Sequence, residues 1–131
     1  MRKKNKGMTM IGRYIKPILL VTGIATASMI AAFFAPEMVL GQLFAEPPTD
    51  AVSLAVTRHW AVLVFCFGAL LVYAAYRRES RQPILIATIV EKIVLVAGLL
   101  LLPLQLRSGG YVVAASDASF SLLYVLYLLG L

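Results

Sequence analysis

Two adjacent charged residues, Glu91 and Lys92, lie in the middle of a long apolar run of the sequence. A charge near the centre of a bilayer costs on the order of 2.5–3.5 kcal/mol by insertion scales, so such residues usually face the interior of a helix bundle. Lysine can partly escape by extending its stem toward the membrane surface, whereas the shorter glutamate cannot. We therefore regard Glu91 as the leading candidate for a functional group.

Polar residues on other apolar runs lie at a depth similar to that of Glu91 and Lys92. Adjacent residues of a helix point about 100° apart, so Glu91 and Lys92 each need partners on neighbouring helices. We predict an inner polar site that comprises Glu91, Lys92, Thr26 and Tyr124. Two interpretations stay open: a proton-titrating or ligand-binding site, and a polar clamp that holds the helices together.

A second polar group is predicted nearer the opposite membrane surface. If one helix begins at Ala51, Arg58 and His59 lie roughly 10–12 Å inside it. If another begins near Tyr111, Asp117 lies roughly 9 Å inside from the same surface. We therefore predict an outer pair of Asp117 with Arg58 or His59. The alternative is that both helices begin later and these residues cap exposed ends.

Other catalytic chemistry has little support in the sequence. His59 is the only histidine and Cys66 the only cysteine. An intrachain disulfide and a Cys-x-x-Cys redox pair are therefore excluded. A bis-histidine haem would need a second chain, and no residue cluster offers a closed zinc site. We expect neither a metal nor another cofactor.

The composition defines the class of protein in which these polar residues lie. Of 131 residues, 61% are hydrophobic and 14% charged, and the mean hydropathy is +0.89. Ordinary soluble domains are roughly 45–50% apolar and 25% charged. A chain this short cannot hide so much apolar surface in one water-soluble core. The composition excludes a soluble enzyme, a disordered chain and a soluble nucleic-acid-binding domain, and indicates an integral membrane protein.

Four apolar stretches are long enough to cross a hydrocarbon core, which requires about 20 residues per helix. We place them at about 17–35, 51–76, 84–106 and 111–131, in one all-α membrane domain over residues 1–131. The first is expected to be a retained anchor, because Pro36 would follow the best cleavage position of a signal peptide. Residues 35–48 suit a short interfacial helix between the first two spans, ended by Pro47 and Pro48.

Basic residues and small residues predict orientation and packing. Nine of the 12 Lys and Arg residues precede the first span or lie between the second and third. Positive charge is retained on the cytoplasmic side, so both termini are predicted to be cytoplasmic. On the first span, Gly23, Ala27 and Ala31 recur every four residues, a pattern that allows close helix approach. The pattern leaves open whether the contact lies inside the bundle or between subunits.

The second apolar run carries a moderately specific pattern, Arg58-His59-Trp60-Ala61-Val62-Leu63 followed by Gly68-Ala69-Leu70-Leu71-Val72-Tyr73-Ala74-Ala75. It resembles a group of small bacterial four-helix inner-membrane proteins of unknown function, which have a similar length, a basic start and an Arg-His pair at this place. The resemblance implies the fold and a bacterial inner-membrane location. It implies no activity.

The expected function is that of a small structural or accessory membrane protein whose buried charges specify helix partners. The alternative is an oligomeric small transporter or proton-coupled channel that uses Glu91. A membrane enzyme ranks last, because the sequence has no nucleophile–base or metal signature. The expected partners are the lipid bilayer and either further copies of the chain or another membrane protein, and not nucleic acid.

Overall fold

The computed structural model of the protein describes residues 10–102 and 105–130. Four helical segments in it are long and apolar enough to cross a membrane. We number them span 1 (Ile15–Phe34), span 2 (Ala51–Tyr76), span 3 (Arg78–Leu101) and span 4 (Ser108–Leu128). The predicted all-α four-helix membrane bundle is confirmed. The basic residues at 2, 3, 4 and 6, and the predicted span residues at 103, 104 and 131, lie outside the described residues.

The individual helices follow local signals in the sequence. Ala51–Tyr76 begins after Asp50, whose carboxylate accepts a hydrogen bond of 2.9 Å from the Ser53 N–H and so caps the helix. Pro36–Leu43, which we call the linking helix, begins with a proline whose missing N–H costs nothing there. The α-helices are Met10–Arg13, Ile15–Ala27, Ala31–Phe34, Pro36–Leu43, Ala51–Tyr76, Arg81–Leu101 and Ser108–Leu128, with 3-10 turns at Ser28–Ile30 and Arg78–Ser80.

Spans 1 and 2 approach each other through glycine. A Cβ built on Gly68 would lie 2.6 Å from the Gly23 carbonyl oxygen and 2.7 Å from the Ala27 Cα. A Cβ on Gly23 would lie 2.9 Å from the Gly68 carbonyl oxygen. The two backbones are therefore in contact, which only small residues allow. Gly23 and Ala27 of the small-residue face thus pack inside the bundle against a glycine of span 2, whereas Ala31 is exposed.

Spans 3 and 4 form a second closely packed pair. Two apolar clusters join the pairs. One cluster is built around fully buried residues of all four spans: Leu19, Leu71, Leu85 and Tyr124. The other, toward the opposite end of the bundle, contains Ala32 and Ala61 together with Val39 and Leu43 of the linking helix.

The linking helix is tied to the connection between spans 3 and 4. The Ala45 N–H donates to the Gln105 carbonyl at 2.8 Å, and the Arg107 N–H donates to the Leu43 carbonyl at 2.9 Å. These bonds form an isolated antiparallel bridge between Phe44 and Leu106. We call this end of the bundle the linker end. The opposite end, with Met10–Arg13 and the turn Arg78–Ser80, is the terminal end.

This pairing explains two span boundaries that differ from the prediction. Span 3 ends at Leu101 rather than near 106, because residues 105–107 leave the helix to pair with residues 43–45. Span 4 begins at Ser108 rather than near 111. The first turn of span 4 contains Gly110, where a Cβ would lie 2.5 Å from the Leu43 carbonyl oxygen. Because glycine has no Cβ, span 4 can begin in contact with the linking helix.

Span 3 also begins earlier than predicted. Pro83 lies in the first turn of Arg81–Leu101, a position where the missing N–H breaks no helical hydrogen bond. Arg81 itself closes the end of span 2, since its Nε donates to the Ala74 carbonyl at 2.7 Å and its Nη2 to the Ala75 carbonyl at 2.9 Å. A cation at a helix C-terminus also complements the helix dipole.

Candidate functional site

Lys92 is the most deeply buried charged residue that the structure describes, with 1% of its surface exposed. Its Nζ lies 3.1 Å from Asp117 Oδ1 on span 4 and donates a second hydrogen bond of 3.1 Å to Thr26 Oγ1 on span 1. The ammonium group therefore joins three of the four spans at one point. The lysine stem thus keeps the ammonium inside the bundle, although a lysine can in general extend toward the membrane surface.

Two groups near the Lys92 ammonium complement its positive charge. Asp117 supplies the opposite charge, and its side chain is only 13% exposed. The Phe120 ring centroid lies 5.4 Å from Nζ, within the range of cation–π attraction. A buried ammonium that lacked such partners would carry a large desolvation cost. The pair is thus matched in charge inside the bundle.

A second polar contact lies closer to the terminal end. The Tyr124 hydroxyl donates to Thr22 Oγ1 at 2.5 Å, and the Thr22 hydroxyl donates to the Ile18 carbonyl at 2.8 Å. Thr22 and Thr26 are four residues apart and so share one face of span 1, while Asp117 and Tyr124, seven apart, share one face of span 4. The result is a column of polar contacts along the bundle interior.

A partly open cleft of about 150 Å³ lies next to the ion pair. Lys92 and Asp117 form part of its lining, together with Thr26 and Ser116. The other lining residues are apolar or aromatic: Ala25, Met29, Trp60, Val64, Leu95, Val112, Val113 and Phe120. All four spans contribute, so the cleft exists only in the assembled bundle.

The predicted outer pair is wrong, because the structure places Asp117 against Lys92 rather than against Arg58 or His59. Arg58 Nε instead donates to the Phe33 carbonyl at 3.1 Å, where span 1 ends and the last carbonyls of the helix lack partners. His59 is exposed. Both residues lie on the exposed surface of span 2.

The predicted inner site is only partly brought together. Lys92 contacts Thr26, but Tyr124 bonds to Thr22 instead. Glu91 is half-buried, and its Oε1 is shut away from solvent with no hydrogen-bond partner in the described part of the chain. The inward-facing charge of the Glu91-Lys92 pair is therefore the lysine, and the glutamate lies to one side of the ion pair.

The sequence predicts the pairing of Lys92 with Asp117 only when the ends of spans 3 and 4 are placed correctly. Lys92 lies nine residues before the end of span 3 at Leu101, and Asp117 lies nine residues after the start of span 4 at Ser108. Both are therefore about 13–14 Å from the linker end. The predicted ends near 106 and 111 placed the two residues at different heights.

The described residues include no group of three or more His, Cys, Asp or Glu side chains that could hold a metal ion. Cys66 and His59 are both exposed, whereas the buried Lys92–Asp117 pair has the chemistry to bind and orient a polar group. No protein-family model, curated protein or solved structure matches the chain.

Proposed function

We propose that the protein is a small structural or accessory subunit within a membrane. The observation that carries the proposal is the Lys92–Asp117 pair, which joins two of the charged groups inside the bundle in a contact between spans. Thr26 adds a third span to the same contact. Such a buried pair suits the selection of one helix arrangement.

The surface of the bundle supports an accessory role. Only 17–33% of the residues in the most apolar stretch of each span are buried inside the protein. Each span therefore keeps most of its apolar surface for lipid, further copies of the chain or another membrane protein.

The assembly state tests the proposal. A tagged chain would be extracted in mild detergent and its mass measured by native mass spectrometry. We expect a complex of fixed stoichiometry with another membrane protein or with further copies of the chain. A monomer that carries only lipids would contradict the proposal.

A paired replacement tests whether the buried charges serve packing alone. The double variant Lys92→Met/Asp117→Leu replaces both charges with apolar side chains. Under the proposal it folds and forms the same complex as the parent. A double variant that folds but no longer forms the complex would assign the charges to function instead.

The second candidate is a proton-coupled channel or small transporter, which the unpartnered Glu91 Oε1 favours. A buried carboxylate oxygen without a donor is costly as a structural element, and intramembrane ionisable residues often mark proton or ion paths. Proton flux into proteoliposomes separates this candidate from the first. The channel or transporter candidate predicts a proton flux that Glu91→Gln abolishes. The control Glu37→Gln, on the exposed side of the linking helix, should preserve that flux. Parent flux equal to that of empty vesicles would eliminate it.

We also propose a bacterial inner-membrane location with both termini in the cytoplasm. The described basic residues of the terminal end support it: Arg13, Lys16, Arg77, Arg78 and Arg81. The linker end has Arg107, and Arg58 lies on span 2. Reporter fusions at the C-terminus test the orientation. A reporter that is active in the periplasm would contradict the proposed cytoplasmic termini.

A further inference from the structure

The walls of the cleft fit an aromatic ring. Its volume of about 150 Å³ matches that of apolar cavities of roughly 150 Å³ that bind benzene. Trp60 and Phe120 contribute aromatic side chains to the lining, and Met29 contributes a polarisable thioether, a group that makes favourable contacts with aromatic rings. The size excludes a large ligand and admits one ring with small substituents.

Lys92 and Asp117, which we call the floor of the cleft, have one unused donor and one unused acceptor between them. A lysine ammonium has three N–H donors, and Thr26 and Asp117 accept two of them. Asp117 accepts from Lys92 at Oδ1, while its Oδ2 receives no hydrogen bond from the described part of the chain. The surrounding hydrocarbon can satisfy neither group.

The charge balance of the floor selects the polar group of a ligand. Lys92 and Asp117 already neutralise each other, so a ligand with a full charge would bring an unpaired charge into an apolar site. A hydroxyl is neutral and is both a donor and an acceptor. It can accept from the ammonium and donate to the carboxylate at the same time.

The geometry points to a ligand site in this cleft for a small, neutral, phenol-type molecule. Its ring lies between Trp60 and Phe120 and its hydroxyl bonds to Lys92 and Asp117. The inference does not depend on the accessory role, since a subunit of a complex and a transporter could each hold such a ligand. Binding needs no chemical step.

Trp60 provides the measurement, because it is the only tryptophan of the chain and lines the cleft. The probe is 4-bromophenol, whose bromine quenches tryptophan emission on contact. The control probe is bromobenzene, which has the same ring and bromine but no hydroxyl. Titrations use the purified full chain in detergent, with free tryptophan in the same micelles to correct for partitioning.

We expect saturable quenching by 4-bromophenol with a Kd at least about tenfold lower than that of bromobenzene, because a hydrogen bond to a charged group contributes a factor of ten or more. The anionic probe 4-bromobenzoate should bind more weakly than 4-bromophenol. Equal Kd values for the phenol and bromobenzene would overturn the proposal, as would quenching that never saturates.

A matched pair of variants locates the site. Ala25→Phe places a ring into the cleft from span 1 and should abolish saturable quenching. Val21→Phe adds the same bulk one turn away, at an exposed position outside the lining, and should leave the Kd unchanged. If Ala25→Phe fails to fold, the comparison of probes on the parent chain still decides the question. Retained binding in a folded Ala25→Phe variant would refute the assigned position.

Discussion

Removal of one partner of the buried ion pair should destabilise the bundle more than removal of both. At 3.1 Å and an effective dielectric constant of about 20, the attraction between Lys92 Nζ and Asp117 Oδ1 is about 5 kcal/mol. Much of that attraction offsets the loss of hydration of the two groups. Either single change, Lys92→Met or Asp117→Leu, leaves one buried charge without its partner and should cost about 3–5 kcal/mol.

The double variant removes both charges, and its cost should be much smaller than the sum of the two single costs. Replacement of a buried ion pair by apolar side chains is often neutral or stabilising by about 1–4 kcal/mol. The free energy of unfolding would be measured in mixed micelles of mild detergent and sodium dodecyl sulfate, with Trp60 emission as the signal. The control is Lys16→Met, at a lysine whose Nζ lies 4.5 Å from the Tyr76 ring centroid on the exposed side of the terminal end. An exposed cation–π contact is worth about 0.5–1 kcal/mol, so the control should stay within that range.

Two results would refute this reasoning. One is a cost of Lys92→Met no greater than that of the Lys16→Met control, which would mean that the ammonium is not held in a charge-matched contact. The other is strict additivity of the two single costs in the double variant, since independent sites add and a contacting pair does not.

Three further predictions concern other contacts. Gly68→Ala should destabilise the bundle by about 1–3 kcal/mol, because the added Cβ would meet the backbone of span 1. The control Gly98→Ala, where the Cβ would meet open space, should be neutral or stabilising. Equal effects of the two changes on the free energy of unfolding would contradict the close approach of spans 1 and 2. Tyr124→Phe should cost about 1 kcal/mol through the lost hydrogen bond, whereas Tyr111→Phe, at an exposed ring, should cost nothing measurable in the same assay. Hydrogen bonds from Ser53 lower the pKa of Asp50 below its ordinary value of 3.8, so the stability that the Asp50 carboxylate contributes is present above that value and is lost as the pH falls through the lowered pKa. Asp50→Ala should remove this part of the pH dependence of thermal unfolding. An unchanged pH profile would count against the helix cap.

The fold was largely predictable because its signals are local. Apolar runs of membrane-spanning length predict the four spans, and Asp50 marks the first residue before span 2. The apolar residues within 35–48 predict a short helix, which the structure places at Pro36–Leu43, so that it ends before Pro47 rather than at it. Each of these depends on the residues within one segment.

The candidate site was less predictable, because it depends on contacts between segments. Lys92 and Asp117 were both singled out from sequence, but their pairing requires the true ends of spans 3 and 4. Those ends are set by the hydrogen bonds of Leu43 and Ala45 to the connection between the two spans. Small changes in helix ends shift a charge by several ångströms and so change its partner.

The sequence by itself determined that the protein crosses a membrane four times, since hydrophobicity and helix length suffice for that in a solvent without hydrogen-bonding groups. It also singled out the few charged residues within or beside the apolar runs, Arg58, Glu91, Lys92 and Asp117. The tertiary structure alone decided that Gly68 meets Gly23, that Lys92 rather than Arg58 joins Asp117, and that a cleft opens beside the pair. These features depend on the rotation and relative height of packed helices, which no single segment specifies.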